Sequence, residues 1–135
     1  MSELLGQCHC GGVKVSVPQQ AYGVVACHCE DCQRLHGNFF AMLAAPADSV
    51  VWSGDLQPQW YDSSPASRRA HCPRCGSRLA KQARDSNRVL VSAGLFSRHL
   101  PRRIQRQVFT ALNAHDLRPA ELSKAARWTW YAVAK

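Results

Sequence analysis

The sequence lacks any apolar segment long enough to cross a lipid bilayer. Its longest apolar run, residues 39–47, includes Pro46 and is far shorter than the roughly 20 residues of a spanning helix. The first residues also lack the basic stretch and apolar core of a secretory signal, so we expect a cytoplasmic protein without a membrane partner. No repeat or low-complexity tract is present, and 135 residues suit one domain, so we expect a single domain over residues 1–135.

Basic residues are scarce in the first half of the chain. Residues 1–67 contain only Lys14 and Arg34 against six acids, whereas residues 68–106 contain eleven basic residues and one acid. Such a run is most often a solvated face, and attraction of an anionic small molecule is the next interpretation. No groove-reading motif accompanies the charge, so nucleic acid is not the expected partner. The arginines that we expect to steer an anion are Arg68, Arg69, Arg74 and Arg78.

The apolar pattern predicts a mainly β fold. Residues 11–18 alternate valines with polar residues and end at Pro18, as a half-buried strand does. Residues 77–83 and 87–94 predict a hairpin. The other predicted strands are residues 22–29, 38–46, 49–56 and 105–112. A single helix is predicted at residues 119–127, beginning at Pro119.

Seven cysteines occur in three groups along the chain. In a reducing compartment an odd number of clustered cysteines indicates metal binding rather than disulfides. Two pairs, about sixty residues apart, have the glycines that let a backbone fold around a metal ion. These outer pairs are Cys8 with Cys10 and Cys72 with Cys75. Together they predict one closed four-cysteine zinc site that clamps the first predicted strand to the later hairpin.

The central group, Cys27, Cys29 and Cys32, offers three sulfurs to an ion that prefers four ligands. The fourth ligand is elsewhere in the chain, is His36, or is an exchangeable molecule. A helical turn over residues 30–36 would place Cys32 and His36 on one face and allow a closed site. Two further histidines alternate with cysteines and are expected to point away from the metal. They are His9 and His28.

The order and spacing of all seven cysteines resemble the glutathione-dependent formaldehyde-activating enzyme (GFA) family. The matching segments are "GQCHCGG" at 6–12, "CHCEDCQRLHG" at 27–37 and "CPRCGS" at 72–77, with "GDL" at 54–56 and "SAGLF" at 92–96. The resemblance covers about residues 6–97 and implies a mainly β, Mss4-like β-tent with short helices, stapled by zinc. It also implies two zinc ions per chain. By position, a structural ion would lie on Cys8, Cys10, Cys72 and Cys75, and a catalytic ion on Cys27, Cys29 and Cys32.

An open site of three thiolates favours chemistry at sulfur. A divalent ion with three thiolates carries a net charge of −1, which makes bound water less acidic than at a site of neutral ligands. A soft substrate thiolate suits the fourth position better. The expected reaction is that of a carbon–sulfur lyase acting on thiol–aldehyde adducts such as S-hydroxymethylglutathione. Glutathione carries two carboxylates, which suits the basic segment. Candidates for substrate contact beside the cysteines are Gln33, Arg34 and Asn38.

Two other classes of function remain open on the sequence. One is a non-catalytic zinc module that binds a protein or nucleic acid, for which binding should weaken steeply with salt. The other is a redox protein whose central cysteines form reversible disulfides without a metal. Metal content and reactivity towards thiol–aldehyde adducts would separate the three.

Overall fold

Ten strands and one α-helix account for most of the residues that the computed structural model describes, which are 2–21, 23–96, 100 and 103–112. The strands are β1 (Glu3–Gln7), β2 (Lys14–Pro18), β3 (Val24–Cys27), β4 (Phe40–Pro46), β5 (Val51–Ser53), β6 (Gln59–Ser64), β7 (Ser67–His71), β8 (Arg78–Ala83), β9 (Arg88–Ser92) and β10 (Ile104–Val108). The helix is α1 (Glu30–His36), and 3₁₀ turns cover Ala47–Ser49, Ala93–Phe96 and Thr110–Leu112. The predicted mainly β fold with short helices is confirmed.

The strands form two sheets. The smaller has the order β1-β2-β5, and the larger has the order β10-β3-β4-β9-β8-β7-β6. Neighbouring strands are antiparallel except β10 and β3, which are parallel. None of the helices in the described ranges is long and apolar enough to span a bilayer.

The main core lies between the two sheets. Alternation along β2 points Val15 and Val17 inward, where they meet Leu43 of β4 and Val91 of β9. Phe96, in the turn after β9, closes the end of this core and is almost fully buried. Burial of these aliphatic side chains from water contributes to holding the smaller sheet on the larger one.

The opposite face of the larger sheet carries α1. Phe40 and Met42 of β4 point to this face and form a second buried cluster with Cys27 and Cys32. Register across the sheet places Arg69, Lys81 and Leu90 directly opposite one another on β7, β8 and β9. Directly opposed side chains share a face, and Leu90 packs against the second cluster. Arg69 and Lys81 therefore lie on the side of the sheet that carries α1.

Three strands are not predicted by the apolar pattern, namely β1, β6 and β7. The segment from Gln59 to His71 is rich in serine and arginine, and Ala70 is its one fully buried apolar residue. In β1 only Leu4 is buried, while Leu5 is exposed. Edge and near-edge strands with one buried side chain give too short an alternation to recognise. The predicted helix at 119–127 lies outside the described residues.

Candidate metal centres

Four thiols from two distant turns converge at one end of the two sheets. They are Cys8 and Cys10 in the β1–β2 turn and Cys72 and Cys75 in the β7–β8 turn, with all four sulfurs within 4.8 Å of one another. The sulfurs of Cys8 and Cys10 are 3.5 Å apart, and those of Cys10 and Cys72 are 3.8 Å apart. Tetrahedral zinc with Zn–S bonds of about 2.3 Å needs sulfurs about 3.8 Å apart. The four donors therefore fit such an ion.

Each turn is shaped by a glycine in the left-handed region. Gly11 and Gly76 both have φ near 75°, which favours glycine because it has no Cβ. The N–H of Gly76 donates to the carbonyl of Cys72 at 3.0 Å, and the N–H of Gly11 donates to that of Cys8 at 3.0 Å. The N–H of Val13 donates to the Cys8 sulfur at 3.3 Å. These turns hold the thiols on one side and direct backbone donors at sulfur.

Ser77 links the two turns. Its hydroxyl accepts from the backbone N–H of His9 at 2.9 Å and lies 3.2 Å from the Cys75 sulfur. Hydrogen bonds from the Ser77 hydroxyl and other donors, against a smaller effect of burial, lower the pKa of the Cys75 thiol to about 5. A thiol with a lowered pKa supplies the thiolate that a metal ion requires.

The segment "GDL" supports the β1–β2 turn, and the segment "SAGLF" packs against β1 just before that turn. Gly54 has φ of 97°, and a Cβ at this position would lie 2.4 Å from the Gly12 carbonyl oxygen. The N–H of Leu56 donates to that oxygen at 2.9 Å. On the other side, a Cβ on Gly6 would lie 2.8 Å from the Phe96 ring. These approaches explain why glycines stand at positions 6 and 54.

The second thiol cluster forms where β3 runs into α1. Cys27 ends β3, Cys29 caps the helix, and Cys32 lies in its first turn, with the three sulfurs within 4.8 Å of one another. The Cys29 sulfur accepts from the backbone N–H of Cys32 at 3.4 Å. Three thiols converge here, and in the described part of the chain no histidine or carboxylate joins them. The set fits a thiolate-binding ion such as zinc that keeps one further position for another ligand.

Positive charge adjoins these thiols from the sheet. Burial raises the pKa of the Cys32 thiol to about 12, and a hydrogen bond from Arg69 acts in the opposite direction. For Cys29, burial also raises the pKa, but hydrogen bonds from Cys32 and Cys27 and the charge of Lys81 lower it overall. Metal binding requires these thiols as thiolates, which the neighbouring cations favour.

His36 is not part of the three-thiol cluster. Its ring stacks on Phe40, with centroids 4.1 Å apart and planes at 6°, and its Nε2 lies 3.5 Å from Nη1 of Arg69. The closed site of three cysteines and His36, one of the alternatives left open by the sequence, is not present in this arrangement. His28 also points elsewhere, since its Nε2 is 2.8 Å from Oε1 of Gln107 on β10. His9 is exposed.

Comparison with known proteins agrees with this geometry. The model of the family described as "Glutathione-dependent formaldehyde-activating enzyme" matches residues 3–111. The chain belongs to the glutathione-dependent formaldehyde-activating enzyme family. A crystal structure of a Rhodobacter sphaeroides protein, a structural genomics target, aligns with a TM-score of 0.62 at 19% identity. The alignment covers 76% of this chain and 98% of that chain, and it supports the shared fold. No curated protein matches the sequence.

The predicted substrate residues of this GFA-family chain lie on or just after α1. Gln33 uses its amide Nε2 to donate to the His28 carbonyl at 2.7 Å, which fixes the loop between the first two cysteines of the cluster. Arg34 is exposed and forms an ion pair with Glu30 one turn earlier. Asn38 follows the helix and is half-buried. Their contact with substrate stays a prediction.

Arg69 is the residue near this cluster whose place the sequence did not indicate. It was expected to belong to a basic surface, and that expectation is wrong because only 3% of its surface is exposed. Its Nη2 lies 3.5 Å from the Cys32 sulfur. Neighbouring Arg68 is exposed, lies over the Trp60 ring and donates to Gln82. Nothing in "RRAHC" distinguishes the two arginines. The available signal is strand alternation, which requires β7 to be recognised first.

Proposed function

We propose that this chain is a zinc-dependent carbon–sulfur lyase that forms or cleaves thiol–aldehyde adducts such as S-hydroxymethylglutathione. The observation that carries the proposal is the convergence of Cys27, Cys29 and Cys32 without His36, whose ring stacks on Phe40 instead. A site of three protein ligands is the arrangement that catalytic zinc uses, whereas structural zinc takes four. Family membership supports glutathione as the thiol and formaldehyde as the aldehyde.

The four-cysteine cluster has a different role in this proposal. Cys8, Cys10, Cys72 and Cys75 would hold a structural zinc ion that has no position left for substrate. The chain would thus carry two zinc ions in one domain. All seven cysteines in the structure are free thiols, and a reducing compartment such as the cytoplasm would keep them so, which is why we propose that location.

The chain's own residues would hold and shield the reacting sulfur. When bound by Cys27, Cys29 and Cys32, zinc would supply a Lewis acid with one position for a substrate thiolate. Phe40 and Met42 line the cluster and limit access of water to it. The α1 turn fixes Cys29 and Cys32 through the backbone hydrogen bond at the Cys29 sulfur. Half-buried Lys81, whose charge acts on Cys29, favours an anionic ligand there.

The reaction in the cleavage direction conserves atoms and charge without an oxidant. The carbon–sulfur bond of the hydroxymethyl adduct breaks, and its electron pair stays on sulfur as thiolate. The hydroxyl oxygen becomes the aldehyde carbonyl as its proton passes to solvent water. Formation of the adduct is the reverse. Because free thiols and formaldehyde also combine unaided, the protein would accelerate an existing equilibrium.

The test is the rate of exchange between free and adduct-bound glutathione, followed by NMR. Zinc-loaded wild-type protein should accelerate exchange, and Cys29→Ser protein, which lacks one sulfur of the cluster, should not. A panel of other thiols and aldehydes would then define specificity. Equal exchange rates with wild-type protein, Cys29→Ser protein and no protein would refute the lyase and leave a non-catalytic zinc module as the function.

A further inference from the structure

Arg69 is a buried cation without a carboxylate partner in the described ranges. Its guanidinium meets two groups, the Cys32 sulfur at 3.5 Å from Nη2 and the His36 ring at 3.5 Å from Nη1. Its Nε is buried with no hydrogen-bond partner among the described residues. The two ion pairs found in the described part of the chain join Arg34 with Glu30 and Arg84 with Asp62.

A buried charge is costly unless an opposite charge lies beside it. When a metal ion is bound, the thiolates of the Cys27–Cys29–Cys32 cluster supply the negative charge beside Arg69. Burial and then the charge of Arg69 lower the pKa of His36 to about 4, so His36 is neutral near pH 7 and accepts the hydrogen bond from Nη1. His36 therefore orients the guanidinium without adding a second cation beside it.

The electrostatic consequence concerns the fourth ligand. A divalent ion with three thiolates has a net charge of −1, and an incoming thiolate brings the set to −2. One guanidinium within hydrogen-bond distance of a ligand sulfur reduces those totals to 0 and −1. Charges interact strongly where water is excluded. The positive charge of the guanidinium therefore raises the affinity of the centre for an anionic ligand.

We infer that Arg69 is a positioning residue of the Cys27–Cys29–Cys32 centre, whose buried positive charge allows the centre to accept a fourth, anionic sulfur ligand. The inference rests on the proposed function, because it requires a substrate thiolate at this centre. It differs from steering by the basic surface, since Arg69 is buried and acts on sulfur at short range. We attribute the higher affinity for a thiolate to the positive charge of Arg69 and not to its hydrogen bond alone.

The test uses cobalt-loaded protein, in which a new thiolate ligand changes the charge-transfer absorption. Glutathione and uncharged 2-mercaptoethanol are titrated into wild-type protein and three variants of the buried arginine. Arg69→Lys keeps the charge, Arg69→Gln keeps a neutral donor, and Arg69→Met keeps neither. Arg68→Met is the matched control, because it removes the same charge from the exposed neighbouring position.

We expect Arg69→Met and Arg69→Gln to weaken the binding of both thiols by about ten- to a hundredfold. Arg69→Lys should stay within a few-fold of wild type, and Arg68→Met should leave the binding of uncharged 2-mercaptoethanol unchanged. If Arg69→Met does not fold, the comparison of the lysine and glutamine variants decides the question. Cobalt content and melting temperature are measured for each variant, so that loss of the ion is not mistaken for loss of thiol affinity.

Equal thiol affinities for Arg69→Gln, Arg69→Lys and wild type would overturn the inference while leaving the proposed function intact. A loss seen with glutathione but not with 2-mercaptoethanol would also overturn it, because Arg69 would then act on the carboxylates. A wild-type protein whose spectrum does not respond to either thiol would instead refute the proposed open site. The wild-type measurement thus separates the two failures.

Discussion

At the scale of single residues, Cys29 has two tasks that a substitution can separate. Its sulfur belongs to the three-thiol cluster, and it also caps α1 by accepting from the N–H of Cys32. Serine is a good helix cap and a poor ligand for a thiolate-binding ion. We predict that Cys29→Ser protein stays folded but contains one zinc ion instead of two, as measured by metal analysis of the purified protein. A Cys29→Ser protein that still carries two ions would contradict this assignment.

His36 decides between an open and a closed second site. Because its ring stacks on Phe40 and meets Arg69, we predict that His36→Ala protein retains both zinc ions. If His36 were a ligand, its loss would weaken zinc binding at the second site by orders of magnitude. One zinc ion per His36→Ala chain would therefore indicate the closed site. The same metal analysis measures both variants, and Cys29→Ser serves as the positive control for loss of the ion.

The pKa of His36 makes a prediction about stability and pH. Burial, followed by the charges of Arg69, Arg78 and Lys81, lowers this pKa from 6.5 to about 4. Between those values the unfolded chain binds a proton that the folded chain does not. The folded state therefore loses stability as the pH falls from 6.5 towards 4, by at most about 1.4 kcal/mol per pH unit. Above pH 6.5 the effect is absent.

His36→Gln isolates this effect, because glutamine accepts a hydrogen bond from Arg69 but does not titrate. The free energy of unfolding of wild type should fall relative to that of the variant between pH 6.5 and 5, as measured by urea denaturation. Other titrations, including those of the cysteines, are common to both proteins and cancel in the difference. A difference that does not change with pH would show that His36 has an ordinary pKa.

At the scale of elements, sequence patterns found the strands that bury several apolar side chains and missed three strands that bury at most one. Strands β2, β4, β8 and β9 place several apolar side chains in the cores, and each lies within a predicted segment. In β7, Arg69 lies on the face of the sheet that carries α1. There its guanidinium contacts the sulfur of Cys32, which comes from a different part of the chain. A charged residue buried through a non-local partner cannot be recognised by hydropathy.

The candidate site also has features that the local sequence predicts and features that depend on distant contacts. Cysteine spacing and turn glycines are local, and the structure brings together both groups of thiols that the sequence singled out. The orientation of His36 depends on its stacking against β4 and on its approach to Arg69 of β7. His36 and Arg69 are 33 positions apart in the sequence. Helical spacing alone therefore left the closed alternative open.

The β5–β6 loop supports the β1–β2 turn at one backbone contact. Gly54 has a positive φ, and a Cβ there would lie 2.4 Å from the Gly12 carbonyl oxygen, so both strain and a clash oppose any side chain. We predict that Gly54→Ala lowers the free energy of unfolding by more than about 3 kcal/mol and weakens zinc binding at the four-cysteine site.

Gly37→Ala is the matched control. Gly37 also has a positive φ, at 88°, but a Cβ there meets nothing within 4 Å, so only strain of roughly 1–2 kcal/mol is expected. Denaturation curves of both variants, with zinc content, give the comparison. Equal destabilisation would mean that the contact with Gly12 contributes nothing beyond the conformation of the residue.

At the scale of the whole molecule, a metal ion on the four-cysteine cluster would connect the two sheets through metal–sulfur bonds. Two of its thiols come from the smaller sheet's β1–β2 turn and two from the larger sheet's β7–β8 turn, more than sixty residues later. The smaller sheet has three strands, and its hydrophobic contact with the larger sheet is made mainly by Leu4 and the valines of β2. The three-thiol cluster, in contrast, lies within β3 and α1 and joins no sheets.

We therefore predict that the two clusters differ in their contribution to folding. Cys8→Ser or Cys75→Ser should lose the ion that ties the sheets together, and the free energy of that ion's binding is folding free energy. A domain of this size has only about 5–15 kcal/mol of stability, so we expect insoluble protein or no cooperative thermal transition. Cys29→Ser, which removes one sulfur from the other cluster, should keep a cooperative transition within a few degrees of wild type. Thermal denaturation followed by circular dichroism, with zinc content measured on the same samples, provides the comparison. A soluble Cys75→Ser protein with a wild-type melting temperature would show that hydrophobic contact alone holds the two sheets together.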